Sequence, residues 1–145
     1  MNATTKLVIS GVGLVGKRHV DSIRKQRNVE LSGVVDPSDE GRNYATERKI
    51  PWYASMSEMF ADQKPDGVIL ATPTPIHVEQ GLECIEHGCP VLVEKPLATS
   101  ADEARVLVEK ADAATVPLLV GHHRRHNPLI KKAYEVIQAG KIGQI

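Results

Sequence analysis

The sequence predicts an α/β fold in which a doubly wound, mostly parallel sheet carries helices on both faces. Two observations support this: short apolar runs alternate with amphipathic stretches along the chain, and a glycine-rich turn follows the first apolar run. Strands are predicted near 6–10, 31–35, 67–71, 91–94 and 117–120, with a weaker one at 52–53. Helices are predicted near 14–27, 38–48, 56–63, 75–87, 101–115 and 128–139.

Local signals mark several helix ends. Ser55 and Glu58 have the spacing of a capping box, and Pro75 suits a first helical position. Gly88 and Gly140 follow amphipathic stretches, as glycines do where helices end. These signals agree with the alternation of strands and helices and so support the same fold class.

Composition narrows the classes of function. The chain has 145 residues, 41% of them apolar, and its 18 basic and 18 acidic residues give no field that favours nucleic acid or an anionic membrane. Apolar runs are strand-sized, so neither a signal peptide nor a membrane span is predicted, and a cytoplasmic location is expected. Cys84 and Cys89 fit neither a zinc knuckle nor a redox pair, and are predicted to be small core residues.

A glycine loop stands between the first strand and the first helix. In the run from Gly11 to Gly16, Gly11 allows a tight turn, Gly13 exposes bare backbone, and Gly16 lets the helix pack closely on the strand. Leu14 and Val15 supply backbone N–H groups at the helix N-terminus, where the dipole favours a phosphate. This arrangement predicts a site for the pyrophosphate of a dinucleotide.

An acidic residue follows the second strand at the expected distance. Asp36 lies twenty residues after Gly16 and precedes Pro37, which suits a carboxylate that binds the adenosine ribose hydroxyls and repels a 2′-phosphate. A simpler alternative is that Asp36 caps the following helix. Ser38 and Arg42 are near enough in sequence to hold a phosphate, so NAD is the predicted cofactor and NADP is not excluded.

Polar residues follow the later strands as well. In a doubly wound sheet, ligands bind beyond the carboxyl ends of the strands. The segments found there are 71–75, 94–96 and 121–126. The last contains three histidines, but it has no nearby third ligand of another type, and its two arginines would repel a cation, so no metal site is predicted.

Together these motifs resemble those of the Gfo/Idh/MocA oxidoreductases. The resemblance rests on the glycine loop with His19, on the Ala-Thr-Pro-Thr-Pro-Ile-His run at 71–77, on Val-Glu-Lys-Pro at 93–96, and on 121–128. It implies a Rossmann-fold NAD(P)-binding domain over 1–121. It also implies that 122–145 connects toward a C-terminal substrate domain that this chain lacks.

The same resemblance implies roles for individual residues. Ala71, Thr72 and Pro73 would lie beside the cofactor, although turn chemistry alone also explains Thr72 and Pro73. His77 is grouped with the cofactor-binding residues, but it falls inside the next helix, where a structural role is the stronger alternative.

For the segment after the fifth strand, the resemblance places Glu94 near the cofactor ribose. Lys95 would be the catalytic residue that donates a hydrogen bond to the reacting oxygen, also contacting the cofactor. An ordinary surface salt bridge between Glu94 and Lys95 is the alternative. Arg125 would border the substrate cleft. A cis peptide bond before Pro96 is left open by the sequence.

The activity implied is hydride transfer between NAD(P) and a secondary alcohol of a sugar, cyclic polyol or related hydroxy compound. The full-length parent is expected to be a homo-oligomer, and the 145-residue chain an inactive monomer or weak dimer, with no nucleic-acid or membrane partner. Two alternatives remain open: a non-catalytic nucleotide-binding or redox-sensing module, and an NAD-dependent enzyme that cleaves glycosides without net redox change.

Overall fold

A six-stranded sheet forms the centre of the molecule. The structure, a computed structural model, describes residues 4–143. Every strand pair in the sheet is parallel, and the strand order is β3-β2-β1-β4-β5-β6. The strands are β1 Thr5–Ser10, β2 Val29–Val35, β3 Trp52–Tyr53, β4 Gly67–Leu70, β5 Val91–Val93 and β6 Leu118–Val120.

A helix connects each pair of successive strands, and a further helix follows the last strand. The α-helices are α1 Leu14–Ile23, α2 Asp39–Glu47, α3 Met56–Asp62, α4 His77–Glu86, α5 Ala101–Ala114 and α6 Pro128–Gln138. Short 3₁₀ turns precede two of them, at Thr74–Ile76 and His123–His126. Because the strand order runs outward from β1 in one direction and from β4 in the other, the sheet is doubly wound, and the predicted fold class is confirmed.

The core has two layers, one on each face of the sheet. Neighbouring residues of a strand point to opposite faces, so Ile9 and Ile69 belong to one layer and Val8 and Val68 to the other. Helices α1 and α2 cover the first face, contributing residues such as Val20. The second face is covered by α3, α4 and α5 and includes Cys84, Cys89 and Leu107. The prediction that both cysteines are core residues is confirmed.

Element boundaries differ from the predictions by a few residues. Helix α1 ends at Ile23 rather than near residue 27, because the chain turns there and the N–H of Gln26 bonds the carbonyl of Ile23 at 2.9 Å. Pro75 lies in a 3₁₀ turn, so α4 begins at His77. Ser55 caps α3 as predicted, since its Oγ accepts the N–H of Glu58 at 3.1 Å. The Glu58 carboxylate accepts the N–H of Ala54 at 2.9 Å rather than that of Ser55, so the second bond of the predicted capping box is shifted by one residue.

Helix α6 stands apart from the two layers. None of its residues is buried, and Leu129 and Tyr134 are 78% and 64% exposed. The predicted connection toward a further domain, over 122–145, falls partly outside the described residues. Within 4–143, no helix combines the length and the apolar character that crossing a membrane requires.

Candidate dinucleotide site

A cleft of about 770 Å³ opens at the carboxyl ends of β1, β2 and β4. These strands are adjacent in the sheet, and the sheet order changes direction between β1 and β4, which is where ligands of such sheets bind. The predicted site residues that line the cleft are Gly11, Gly13, Leu14, Val15, Asp36, Pro37, Ala71, Thr72 and Pro73. The structure therefore gathers one site from residues that are far apart in sequence.

The glycine loop has the backbone geometry that its sequence predicts. Gly11 has φ +85°, and a Cβ added there would lie 2.8 Å from backbone atoms of Ala71 and Thr72. Gly16 is buried, but a Cβ there would collide with the carbonyl of Gly11 rather than with the strand itself. The third glycine thus allows the helix to pack against the turn, a correction in detail to the predicted contact with the strand.

The N-terminus of α1 faces open space. Gly13 is the N-cap residue, and no atom lies within 4 Å of a Cβ built on it. Among the described residues no side chain caps α1, so the N–H groups of its first turn have no side-chain partner there. An uncapped helix N-terminus beside an open cleft is suited to an anionic group such as a pyrophosphate.

Asp36 links the end of β2 to the glycine loop. Its Oδ2 accepts the N–H of Val12 at 2.9 Å, and its Oδ1 accepts the hydroxyl of Ser38 at 2.6 Å and the N–H of Ser38 at 3.0 Å. Burial alone would raise the pKa of Asp36, but these hydrogen bonds and the nearby charge of Lys17 together hold the pKa below its ordinary value. The carboxylate is therefore ionised at the cleft wall.

Ser38, and not Asp36, is the residue that caps helix α2. Ser38 is the N-cap of α2 and accepts the N–H of Gly41 at 3.0 Å. Arg42 lies with its guanidinium 5.2 Å from the centre of the Trp52 ring, and Trp52 donates its indole N–H to the carbonyl of Asp36 at 2.8 Å. Both residues that were considered as holders of a 2′-phosphate thus have other contacts.

The segment after β4 forms the opposite wall of the cleft. The N–H of Ala71 donates to the carbonyl of Ser10 at 2.7 Å, and this hydrogen bond extends the pairing of β4 with β1. The hydroxyls of Thr72 and Ser10 both donate to Oε1 of Gln80, at 3.0 and 3.2 Å. The Thr72 side chain is therefore oriented by α4, and Pro73 lies beside it on the exposed rim.

His77 is a structural residue. It is 1% exposed, its Nε2 lies 2.8 Å from the carbonyl oxygen of Thr72, and its Nδ1 lies 3.0 Å from that of Pro96. Both ring nitrogens are occupied by backbone, so the grouping of His77 with direct cofactor ligands is corrected. It instead joins the segment after β4 to the segment after β5.

Glu94 and Lys95 lie beside this cleft but do not line it. The Nε2–H of His19 donates to Oε1 of Glu94 at 2.8 Å, and the backbone N–H of Lys95 lies 3.3 Å from Oε2. Lys95 is exposed and, within residues 4–143, its ammonium makes no ion pair, so the alternative of a Glu94–Lys95 salt bridge is not observed. The peptide bond before Pro96 is cis.

The basic segment after β6 is separate from the cleft. Arg125 is exposed and lines a different groove, together with Ile130, Lys131, Tyr134 and Glu135 of α6. The described part of the chain contains no group of three histidine, cysteine or acidic side chains placed to hold a metal ion. The structure thus does not bring Arg125 together with the other predicted site residues.

Two groups of residues that line the cleft were not predicted from the sequence. Ala54, Ser55, Met56 and Ser57 follow β3, and the side chains of Ile76, Glu79, Gln80 and Glu83 reach the cleft from the 3₁₀ turn and α4. The first group had a signal, since it occupies the carboxyl end of the weak strand at 52–53. The second group had no signal in the sequence, because only the packing of α4 decides which of its residues face the cleft.

The fold and the cleft define a dinucleotide-binding α/β protein. The chain belongs to the Gfo/Idh/MocA family, described as an oxidoreductase family with an NAD-binding Rossmann fold, whose profile matches residues 5–122. It is 32% identical over 140 residues to the rhizopine catabolism protein MocA of Rhizobium meliloti, covering 97% of this chain and 44% of that protein. An inositol 2-dehydrogenase of Mycolicibacterium smegmatis is 35% identical over 143 residues, with coverages of 96% and 41%.

The fold of this chain is also similar to those of solved structures that contain NADH or NAD. The WlbA dehydrogenase from Bordetella pertussis, in complex with NADH and UDP-GlcNAcA, superposes with a TM-score of 0.93 at 27% identity, covering 100% of this chain and 42% of that one. GenD2 from gentamicin A biosynthesis, in complex with NAD, gives 0.89 at 29% identity, with coverages of 97% and 41%. The chain thus spans less than half the length of these relatives.

Proposed function

We propose that this chain forms the NAD-binding part of a dehydrogenase acting on a secondary alcohol of a sugar, cyclic polyol or related hydroxy compound. The observation that carries the proposal is the juxtaposition of the uncapped α1 N-terminus with the ionised Asp36 in one cleft. A dinucleotide needs both, because its pyrophosphate is anionic and its ribose presents hydroxyl donors. Two of the relatives named above, the inositol 2-dehydrogenase and WlbA, are dehydrogenases, which supports the same class of reaction.

The residues present fit the cofactor. The backbone of Gly13, Leu14 and Val15 would hold the pyrophosphate, because Gly13 leaves open space where a side chain would otherwise stand. Asp36 and Pro37 would contact the adenosine ribose. The wall formed by residues 71–73 would contact the other half of the dinucleotide, with Glu94 and Lys95 beyond it.

NAD is favoured over NADP by charge. A 2′-phosphate on the adenosine ribose would meet the carboxylate of Asp36, and like charges at short distance repel. The Ser38 hydroxyl is already used by Asp36 and by the cap of α2. Arg42 lies over the Trp52 ring, so the charge that such a phosphate would meet first at the cleft wall is the carboxylate of Asp36.

Lys95 is the proposed catalytic residue. When bound, the cofactor would supply the nicotinamide ring, which accepts the hydride. The exposed ammonium of Lys95, which has no carboxylate partner among the described residues, would donate a hydrogen bond to the substrate oxygen as that oxygen gains negative charge. The hydroxyl proton would pass to an acceptor supplied by a further part of the protein.

We propose that residues 1–121 form the nucleotide-binding domain and that 122–145 connect it to a further domain of a longer protein, which would carry the substrate site. Support comes from α6, whose Leu129 and Tyr134 are mostly exposed. The relatives are more than twice as long as this chain. In the longer protein, the additional residues would cover the exposed apolar side chains of α6. Arg125 lies in the groove beside α6 and would border the substrate at that boundary.

Isothermal titration calorimetry tests the cofactor proposal. NAD and NADP would be titrated separately into the purified chain under identical ionic conditions. We expect NAD to bind more tightly. Tighter binding of NADP, or heat from neither cofactor with a chain shown to be folded by circular dichroism, would overturn the proposal.

A further inference from the structure

The carboxylate of Glu94 lies where three structural elements meet. His19 of α1 donates to its Oε1 at 2.8 Å, and the backbone N–H of Lys95 faces its Oε2 at 3.3 Å. On the third side, a Cβ added to Gly121 would lie 2.9 Å from Cδ and Oε2 of Glu94. The Glu94 side chain is only 15% exposed, so these contacts enclose it.

The backbone around this carboxylate is fixed by the sheet. The N–H of Glu94 bonds the carbonyl of Leu70 at 2.9 Å, and the N–H of Gly121 bonds the carbonyl of Val93 at 2.8 Å. The Glu94 side chain is therefore the adjustable group between a rigid sheet edge and α1. Among the described residues, the side chain that orients its carboxylate is His19, whose contact at 2.8 Å is shorter than the 3.3 Å contact with the backbone N–H of Lys95.

The direction of this carboxylate matters for the adjacent lysine. Lys95 is exposed and has no ion-pair partner in 4–143, although a carboxylate stands one residue away. Lys95 follows Glu94 directly in the chain, so only two flexible side chains would separate its ammonium from a carboxylate released by His19, and opposite charges at short distance attract. The existing hydrogen bond to His19 therefore competes with neutralisation of Lys95.

We propose that His19 is a positioning residue: with Gly121 providing the space, it holds the Glu94 carboxylate against α1 and away from the Lys95 ammonium. This inference rests on the proposed role of Lys95 as the donor to substrate. It assigns a function to a residue of the glycine-loop helix that lies outside the cleft lining. It also connects the helix that would hold the pyrophosphate to the lysine that would hold the reacting oxygen.

The reactivity of Lys95 toward an acylating reagent tests this proposal in the chain itself. Acylation requires the unprotonated amine, and an ion pair with Glu94 would stabilise the ammonium. The wild-type chain and its variants would be treated with limiting acetic anhydride, without cofactor. Modification of each lysine would then be quantified by peptide mass spectrometry.

In His19→Ala we expect acylation of Lys95 to slow by about three- to fivefold, the range for a partly exposed ion pair. Gly121→Ala should act in the same direction, because the added methyl group would displace the Glu94 carboxylate. The double variant His19→Ala/Glu94→Gln should restore the wild-type rate, since the neutral amide cannot form the ion pair. Lys17→Ala, on the same helix, is the matched control and should leave Lys95 unchanged, because Lys17 pairs with Glu40 instead.

Three outcomes would overturn the proposal. The first is an unchanged rate at Lys95 in His19→Ala. The second is a slower rate that the double variant fails to restore, which would show that the effect does not pass through Glu94. The third is a rate that rises at Lys95 together with the other lysines, which would indicate general loosening of the fold. Calorimetry with NAD on the wild-type chain reports separately on the proposed cofactor, so the two failures are distinguishable.

Discussion

The backbone N–H of Val12 donates a hydrogen bond to Oδ2 of Asp36 at 2.9 Å, and this contact joins the glycine loop to the end of β2. It places the carboxylate beside the proposed pyrophosphate site and leaves it lining the cleft. The two groups proposed to contact a dinucleotide are therefore held together by a hydrogen bond within the protein.

Substituting Asp36 should change cofactor selectivity. In Asp36→Ala we expect NAD affinity to fall by about tenfold, the effect of losing a charged hydrogen-bond acceptor, and the difference between NAD and NADP to narrow because the repulsive charge is gone. Calorimetric titration of both cofactors measures each effect. Asp39→Ala is the control, because Asp39 is also acidic and begins α2 but does not line the cleft. Unchanged selectivity in Asp36→Ala would contradict the assignment.

Asp36 should also make stability depend on acid pH. Its pKa is below the ordinary value of 3.8 in the folded chain, because hydrogen bonds from Ser38 and Val12 and the charge of Lys17 outweigh the effect of burial. The folded state therefore binds this proton less tightly than the unfolded state does. The resulting stabilisation is present above 3.8 and is lost as the pH falls through the lowered folded value.

The Asp36→Asn variant isolates this effect. Urea unfolding of both chains would be measured from about pH 6 down to the acid limit of reversible folding. We expect the stability advantage of the wild type over Asp36→Asn to shrink as the pH is lowered. An advantage that stays constant across this range would show that the carboxylate is not stabilised in the folded chain.

Replacing His77 should destabilise the fold. In His77→Ala the backbone carbonyl that accepts the ring N–H loses its donor and a buried ring is removed, so we expect a loss of about 2–4 kcal/mol in the free energy of unfolding. Urea denaturation measures this value. His87→Ala is the matched control at the end of the same helix; His87 is exposed and stacks on Phe60 at 4.1 Å, an interaction worth about 0.5–1.5 kcal/mol. Equal losses in both variants would contradict the role given to His77.

The two cysteines should be unreactive in the folded chain. Burial raises the pKa of Cys89 to about 11, with a smaller contribution from the charge of Asp66, and burial raises the pKa of Cys84 even further. Because the thiolate is the reactive form, a disulfide reagent at about pH 8 should label neither residue until denaturant is added. Mass spectrometry counts the labels. Rapid labelling of Cys89 in the native chain would show that the segment between α4 and β5 opens.

Lys95 should affect turnover more than cofactor binding in the longer protein that contains this chain. In Lys95→Ala we expect turnover to fall by about 100-fold or more, the range for one lost donor to a developing charge, with little change in cofactor affinity. Lys95→Arg should restore turnover only in part, because a planar guanidinium does not reproduce a point donor. Steady-state kinetics and cofactor titration separate the two effects.

An exposed lysine elsewhere provides the control for Lys95. Lys110→Ala removes the same charge from an exposed residue of α5 that does not line the cleft, and should leave turnover unchanged. Near-normal turnover in Lys95→Ala, with only a small loss of thermal stability, would mean that Lys95 is an ordinary surface residue.

The sequence alone determined the fold and one side of the site, because the relevant signals are local. Alternating apolar and amphipathic runs predict strands and helices from the period of each element, and the glycine spacing predicts a turn whose backbone any other residue would obstruct. Asp36 was predictable for the same reason, since its place depends only on where the second strand ends. The charge repulsion that favours NAD follows from the residue type itself.

Only the tertiary structure decided how the remaining residues are used. His19 and Glu94 are 75 positions apart and meet because α1 packs beside the end of β5, and His77 is removed from the ligand surface because α4 buries it against two backbone carbonyls. The wall contributed by α4 likewise depends on the rotation of that helix against the sheet. Contacts of this kind depend on how elements pack together, and no periodicity or spacing within one segment records the partner that another segment will provide.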